Sequence, residues 1–435
     1  MNTNQLYAYF IKYPIVCTDT RAIVPHSIFF ALKGANFDGN QYAHTALEQG
    51  AAYAVVDDQS LAPNDRLLVV DDVLKSLQDL ANYHRKQLAL PVLAITGTNG
   101  KTTSKELIAA VLSRKFKLCY TKGNLNNHIG VPLTLLGMTA DTELAVVEMG
   151  ANHPGEIAAL CAIAEPDFGL ITNVGKAHLE GFGSFEGVIR TKCEMYDYLR
   201  AHQGKCFVCA DNEILMDKSA GLNRSTYGAS AMAQVQGEAE ASDYQLVVKA
   251  LFPKGWLYIK TKLIGGYNFE NVMAAVAIGS HFAIDPIEIQ SAIEAYQPSN
   301  NRSQLEVRGT NRIILDAYNA NPTSMQGALK NLIGIKHSHK CAILGDMLEL
   351  GESSAIEHQH IVDVLEAAEL DAVFLVGAHF AKTKHSDKML TFMTSSELAN
   401  HLKAHVFFEQ SLILVKGSRG TKLETVLHAI NSEAQ

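Results

Sequence analysis

Residues 93–112, LAITGTNGKTTSKELIAAVL, carry the reading of the whole chain. An apolar run, VLAIT, breaks at GTNG and resumes at Lys101 as a segment whose Leu107, Ile108, Val111 and Leu112 fall on one helical face. Strand, glycine turn and helix start in that order form the context of a phosphate-binding loop. The backbone N–H groups of Gly97, Thr98, Asn99, Gly100, Lys101, Thr102 and Thr103 can surround a phosphate only where side chains do not crowd them, which is the use of the two glycines. Lys101 would place a positive charge on the β- and γ-phosphates, and the Thr102 hydroxyl would face Mg²⁺. The full pattern has its first glycine where this chain has Ile95, so the match is to the shortened form GxxGKT. The competing reading is an ordinary strand-to-helix turn with an exposed lysine.

Working outward, apolar runs ending in glycine or polar residues recur along the chain: LAVVEMGAN, FGLITNVGKAH and KCFVCADN after the loop, and RIILDAYNANP, KCAILGDM, AVFLVGAH and SLILVKGSRG beyond residue 304. Helical patterns separate them, which predicts α/β units with mainly parallel sheets. A smaller α/β unit precedes Pro91, with strands in SIFFALKG, AAYAVVDD and RLLVVDD and a helix in YAHTALEQGA. The stretch from about 222 to 262 alternates and predicts an antiparallel addition to the middle unit, and a helix starts near Asn268. The polar segment 297–304 marks a boundary. The division expected is 1–90, 91–302 and 303–435, and ligands are expected at the carboxyl ends of the strands.

The 435 residues are too many for one ordinary core. A net charge of −8 argues against a general nucleic-acid binder, while local basic groups can still hold small anions. No run reaches the roughly 18 apolar residues of a membrane span, and the N-terminus lacks the pattern of a signal peptide. A cytoplasmic protein is expected. Seven scattered cysteines fit a reducing compartment. Cys206 and Cys209, three apart in an expected strand, would point to opposite faces and not share a metal.

Glu148 ends the apolar run LAVVE, where a carboxylate is costly without a partner, and a cation at the strand end would supply one. His178 lies just past the next strand end, so Thr102, Glu148 and His178 could converge on one cation or its waters. A loop histidine with an ordinary hydrogen bond is the competing reading. In 184–200, SFEGVIRTKCEMYDYLR, an apolar arc of Phe185, Val188, Ile189, Met195, Tyr196 and Leu199 contains Lys192, with Glu186, Arg190, Glu194 and Asp197 opposite. Such a lysine either snorkels to the surface or points into the cleft, where desolvation would make its amine easy to deprotonate.

Together these strings resemble the Mur ligases of peptidoglycan synthesis, over nearly the whole chain and in order, and within that family its MurF branch. TGTNGKTT resembles the family's ATP loop. GNLNNHIGVPLTLL (123–136) and YNANPTSM (318–325) are similar to stretches of that branch, which implies substrate contacts at Asn126, Asn127, Asn319 and Asn321. The resemblance implies magnesium ligation by Thr102, Glu148 and His178, and a carbamylated Lys192 holding a second magnesium. It also implies nucleotide contacts at Asn268 and Asn271 in GGYNFENVMAA, at Arg302, and at Asp316. TDTRAIVPHSIFFALKGANFDGN resembles the segment that binds the UDP end of the substrate, which implies roles for Thr20, Arg21, Lys33, Gly34, Phe37, Asp38 and Gly39. LVKGSRG resembles the loop near the peptide and incoming amine, bringing in Lys416, Ser418 and Arg419. Two positions depart from the family: Thr20 where serine is usual, and Lys176 where an acidic residue is common.

The fold implied is the three-domain Mur ligase architecture: an N-terminal domain for the UDP substrate, a central P-loop ATPase-type domain, and a C-terminal Rossmann-like α/β domain. The implied activity is ATP-dependent joining of D-alanyl-D-alanine to UDP-N-acetylmuramoyl-tripeptide, with Mg²⁺, by a monomer. Sister ligases with another amino-acid acceptor remain as alternatives, as does a nucleotide-binding regulator or kinase.

Overall fold

The computed structural model describes residues 1–61, 64–240, 244–298, 301–405 and 408–430. Positions 299 and 300 of the expected boundary segment, and 241–243 of the alternating stretch, lie outside the described residues. The chain builds three α/β units, each on its own sheet. The first sheet is parallel, in the order Val16–Cys17, Ile28–Phe30, Tyr53–Val56, Leu67–Val69. A short antiparallel ribbon, Lys33–Gly34 with Phe37–Asp38, lies beside it.

The central sheet has nine strands. Val92–Thr96 lies between Leu144–Glu148 and Phe168–Ile171, and all three run parallel. Their carboxyl ends therefore open side by side, which brings the glycine loop, Glu148 and the segment 172–178 to one edge. On the far side Asn223–Gly228 and Val235–Glu240 continue the parallel pairing. Only the last three strands, Val235–Glu240, Gln245–Phe252 and Gly255–Ile264, form an antiparallel meander. The antiparallel addition is thus confined to 235–264, because short connections there allow direct hairpins while the strand at 223 is reached through the helix Glu213–Lys218. Cys206 and Cys209 project from one strand into different cores, and both remain free thiols.

The third sheet runs Gln304–Arg308, Asn311–Asp316, Leu412–Lys416, Lys340–Gly345, Ala372–Val376, Met389–Phe392. Its first pair is antiparallel and the rest are parallel.

The helix Val73–Leu88 governs how the units join. Asp72 caps it by accepting from Lys75 N, and Val73, Leu77, Leu80 and Ala81 are buried along one face. That face belongs to a core shared with Val131, Leu135, Val147 and Leu160 of the central unit. Truncating Leu77 or Leu80 to alanine would cost about 2–5 kcal/mol. The first and central units are therefore bonded by an apolar seam. The third unit has its own cores, to which the central unit contributes Ile264, and meets the nucleotide loop through polar contacts described below. Polar seams between domains are the ones that open.

Candidate functional site

The glycine loop is held open from beneath. Gly97 and Gly100 have φ of +139° and +78°. A Cβ on Gly97 would come 2.0 Å from Thr172 Oγ1, and one on Gly100 would come 2.4 Å from Asn271 Oδ1. Thr172 Oγ1 donates to Asn99 O (2.7 Å), and Asn99 N donates to Asn173 Oδ1 (2.9 Å). Asn173 is the second residue past a strand end, a position to which the sheet topology directs attention, though the sequence reading passes it over. Asn271 accepts from Ser104 Oγ and donates to Asn268 Oδ1, whose own amide reaches Ile264 O. Asn271, in the helix Phe269–His281, braces the loop, and Asn268 just before that helix holds Asn271 in place.

Lys101 Nζ donates to Gly97 O (2.7 Å) and Thr98 O (3.0 Å) within its own loop. Burial pushes its amine down to about 8, with Arg302 acting the same way and Glu148 opposing. An arriving phosphate supplies the negative charge that keeps this amine protonated. Glu148 is buried at the end of its strand. Its Oε1 accepts from Thr102 Oγ1 (3.2 Å) and Asn126 Nδ2 (2.8 Å). Its Oε2 is buried without a hydrogen-bond partner, 3.9 Å from Lys105 Nζ. A buried carboxylate oxygen left open beside a threonine hydroxyl is the hard oxygen pair that suits Mg²⁺. No cluster of three or more His, Cys, Asp or Glu that could hold a metal forms among the described residues. The donor set therefore fits an ion that keeps water and phosphate oxygens in its shell.

His178 stands in a left-handed conformation (φ 50°, ψ 37°) at the start of a short helix. Strain of that kind in a non-glycine residue marks a position held by its surroundings. Its Nδ1 contacts the carboxylate of Glu349 in the third unit, and that contact lowers the Glu349 pKa. His178 thus lines the same cleft as Thr102 and Glu148, engaged from the third unit by a carboxylate that the sequence does not single out.

Lys192 lies on the helix Phe185–Ala201, capped by Ser184, and is 2% exposed among the apolar residues of its arc. It does not snorkel. Its Nζ donates to Ala151 O (3.2 Å) and sits 5.3 Å from the Phe182 ring, behind the cleft wall formed by Ala151. Burial pushes the amine down to about 7, with the charge of Lys101 adding to the effect and Glu156 and Glu194 opposing it. Glu194 lies on the charged side of that helix, and it is engaged there. Its carboxylate accepts from Gly155 N (2.7 Å) and Ala158 N (2.9 Å), so it caps a neighbouring helix and is not simply solvated.

The cleft has a volume of about 1200 Å³ and is lined by all three units. Of the sequence-selected residues it gathers Thr98 to Thr103, Asn126, Asn127, Glu148, His178, Asn268, Asn271, Arg302, Asp316, Asn319, Asn321 and Lys416. Several of these are engaged with one another. Lys416 Nζ, 1% exposed, donates to Asp316 Oδ2 (2.6 Å), because the two residues are register partners on adjacent strands. Asn321 caps the helix Pro322–Gly334 and also bonds to Asn99. Ser418 is buried, accepting from Leu348 N and donating to Ala320 O. Lys176 pairs with Glu357 (2.6 Å) and its N–H donates to Thr323 Oγ1, so this family departure stitches the central unit to the third.

The seven N-terminal candidates do not line this cleft. Arg21 is exposed and paired with Asp19, and Thr20 begins the same turn. Lys33 pairs with Asp57 (2.8 Å), while Asp38 accepts from Asn40 N. Phe37 is exposed, its ring lies where a side chain on Gly34 would stand, and Gly39 packs against the backbone of Leu32. Lys33, Gly34, Phe37, Asp38 and Gly39 lie on or next to the antiparallel ribbon, apart from the residues that line the cleft.

Three family models match in succession: "Mur ligase family, catalytic domain" over 12–91, "Mur ligase middle domain" over 95–279 and "Mur ligase, glutamate ligase domain" over 301–419. The chain is 35% identical to UDP-N-acetylmuramoyl-tripeptide--D-alanyl-D-alanine ligase of Bacillus subtilis, covering 95% of this chain and 92% of that protein. The protein of the same name from Escherichia coli is 33% identical, covering 95% and 93%. Among solved structures, MurF from Acinetobacter baumannii superposes with a TM-score of 0.84 at 32% identity, covering 95% of this chain and 92% of the other. MurF ligase from Thermotoga maritima in complex with ADP gives 0.85 at 26% identity, covering 95% and 96%. With its three sheets, its nucleotide loop and relatives matched along nearly their full length, the chain belongs to the Mur ligase family.

Proposed function

We propose that the protein is the ATP-dependent ligase that joins D-alanyl-D-alanine to UDP-N-acetylmuramoyl-tripeptide, giving the pentapeptide precursor, ADP and phosphate. The observation that carries this reading is the alignment of the glycine loop, Glu148 and the 172–178 segment on one sheet edge, facing the third unit across a cleft, in a chain similar to ligases of that name end to end.

In this reading the terminal carboxylate of the tripeptide attacks the γ-phosphorus, ADP leaves and an acyl phosphate forms. The dipeptide amine then attacks the acyl carbon, phosphate leaves, and the nitrogen gives up a proton. Lys101 and the loop amides hold the phosphates in line, and Asn268, Asn271, Arg302 and Asp316 serve the nucleotide side. Thr102, Glu148, His178 and, as a carbamate, Lys192 would hold two magnesium ions. Those ions supply charge neutralisation on the triphosphate. The low pKa of Lys192 supports its part: an amine of about 7 is substantially neutral at physiological pH, and only a neutral amine adds to CO₂.

Because acyl phosphates hydrolyse, the cleft must exclude water while the intermediate exists. Closure of the third unit over the loop, at contacts such as Lys176 with Glu357, supplies that exclusion. The UDP end is assigned to the Lys33–Asp38 ribbon. The domains are divided at 90 and 302, in keeping with the change of sheet at those points. The enzyme is read as a cytoplasmic monomer; no helix among the described residues is long and apolar enough to cross a membrane.

The test is incubation with ATP, Mg²⁺ and UDP-N-acetylmuramoyl-tripeptide, with and without D-alanyl-D-alanine. Phosphate release that requires the dipeptide, with a product heavier by the dipeptide less one water, supports the reading. Release that ignores the dipeptide but responds to another amino acid overturns it in favour of a sister activity.

A further inference from the structure

Two non-glycine residues with left-handed backbones face each other across the seam between the central and third units: His178 (φ 50°) and Glu349 (φ 63°). A backbone of that kind costs free energy in a residue with a Cβ and persists only where its surroundings over-determine it. Both residues line the main cleft. The buried Nδ1 of His178 meets the Glu349 carboxylate. The main chains meet as well: Glu180 N donates to Glu349 O (3.4 Å), and a Cβ on Gly351 would lie 3.4 Å from Glu180 Cα. The side-chain contact is therefore one part of a fitted junction.

Within its own unit Glu349 is held from both sides. In segment 346–350, which follows the strand Lys340–Gly345, Met347 N donates to His358 Nε2 (3.0 Å) and Leu348 N donates to Ser418 Oγ (3.0 Å). The Met347 and Leu350 side chains are buried in a core of the third unit. Asp346, at the base of the segment, accepts from His379 N and Phe380 N, both at 3.0 Å. His358 is itself fixed, fully buried with Nδ1 donating to Ser354 O (2.7 Å). The Glu349 carboxylate thus travels with the third unit, whereas His178 belongs to the central one.

An imidazole that offers one nitrogen to a cation keeps its hydrogen on the other, and a carboxylate at that other nitrogen fixes the tautomer and stops the ring from turning. We propose that Glu349 is the positioning residue of His178: its carboxylate takes the Nδ1 hydrogen and leaves Nε2 bare for the cation held with Thr102 and Glu148, so that a site built on the central sheet is finished by a residue of the third unit. The edge-on Phe182 ring, 6.2 Å from the imidazole at 83°, flanks the oriented ring. The inference rests on the reading of His178 as a magnesium ligand, and adds to it the group that orients the ring and a link between cation binding and docking of the third unit. Whatever docking adds to cation affinity, the cation adds to docking.

The probe is Mn²⁺, titrated by electron paramagnetic resonance into the ADP-bound protein as wild type, Glu349→Ala and Glu349→Gln. In parallel, NMR of protein carrying isotope-labelled histidine reads the tautomer of His178, whose signals are identified by their loss in His178→Ala. The Glu349 side chain is 56% exposed, so its truncation leaves the cores intact. Removing the carboxylate behind a ligating histidine weakens metal binding about ten- to a hundredfold, and Glu349→Ala is expected to weaken Mn²⁺ binding by roughly tenfold or more. It should also release the ring from its Nδ1–H tautomer, which a merely structural role would not do, while Glu349→Gln keeps an acceptor oxygen and with it the tautomer. Unchanged or tightened Mn²⁺ binding in Glu349→Ala, or a wild-type ring with Nδ1 bare, overturns the inference and leaves the ligase reading standing. His178→Ala that binds Mn²⁺ as wild type does overturns the reading of His178 as a ligand, and the inference with it.

Discussion

Asn99 in the nucleotide loop and Asn321 at the start of a third-unit helix, 222 residues apart in sequence, exchange side-chain amide bonds: Asn321 Nδ2 to Asn99 Oδ1 at 2.7 Å, and Asn99 Nδ2 to Asn321 Oδ1 at 3.4 Å. The phosphate loop is thereby tied directly to the unit that must move over it. Asn321 also accepts from Ser324 N as a helix cap, so the two asparagines can be separated by mutation. Asn321→Ala should lower stability by about 1 kcal/mol through the lost cap, whereas Asn99→Ala should lower it less. Both should shift the third unit away from the loop, read as a larger radius of gyration in solution scattering with ADP bound. Identical scattering for wild type and both variants would show that the pair does not hold the units together.

Gly100→Ala meets two obstacles at once, a φ of +78° and the Asn271 side chain 2.4 Å from the new Cβ. We expect a loss of about 1–3 kcal/mol in stability. A marked weakening of ADP binding should accompany it, since Asn271 must leave its bonds to Ser104 and Asn268. Calorimetric titration with ADP, alongside thermal unfolding, checks both effects; full-strength ADP binding would mean that the loop adapts without its bracing.

Lys192→Met replaces a buried amine with an apolar chain of similar shape. A lysine whose folded pKa is depressed to about 7 weakens the fold below that value. As pH rises from about 7 towards the unfolded value near 10.5, the unfolded chain holds the extra proton and wild-type stability increases. The variant should therefore be more stable than wild type at pH 7, by a few kcal/mol, with the difference shrinking towards pH 10. It should also lose ligase activity by at least about a hundredfold, which bicarbonate does not restore. Denaturant unfolding at both pH values and a bicarbonate titration of activity measure this, and a variant with normal turnover would remove Lys192 from the site.

Glu270 carries the opposite sign. Burial, with Asp211 nearby, pushes its carboxyl up to about 7. A carboxyl whose pKa rises on folding costs nothing below the unfolded value near 4.5 and destabilises increasingly until about 7. Glu270→Gln should match wild type at pH 4.5 and exceed it at pH 8 by on the order of 3 kcal/mol. Equal pH dependence of the two melting temperatures would show that Glu270 is solvated in the fold.

The sequence by itself determined the local chemistry. The order of apolar run, glycines and helix at 93–112 is that of the structure, and the 3.6-residue spacing of 184–200 puts Lys192 within the apolar arc, while the packing decided that it stays buried and does not snorkel. Such patterns are legible because strand and helix periods act over a few residues. The helix Val73–Leu88 carries signals of the same kind, an Asp72 cap and the Val73, Leu77 and Leu80 spacing, but the sequence reading passes over it. Tertiary structure decided the pairings. Asp316 meets Lys416 because two strands a hundred residues apart are neighbours in one sheet, and Glu349 reaches His178 only when the third unit docks. It also brought Arg302 and Arg419 to the ring of Tyr318. A side chain's chemistry is written at its own position, but its partners are set by which surfaces the buried cores bring together, and that depends on the packing of the whole chain.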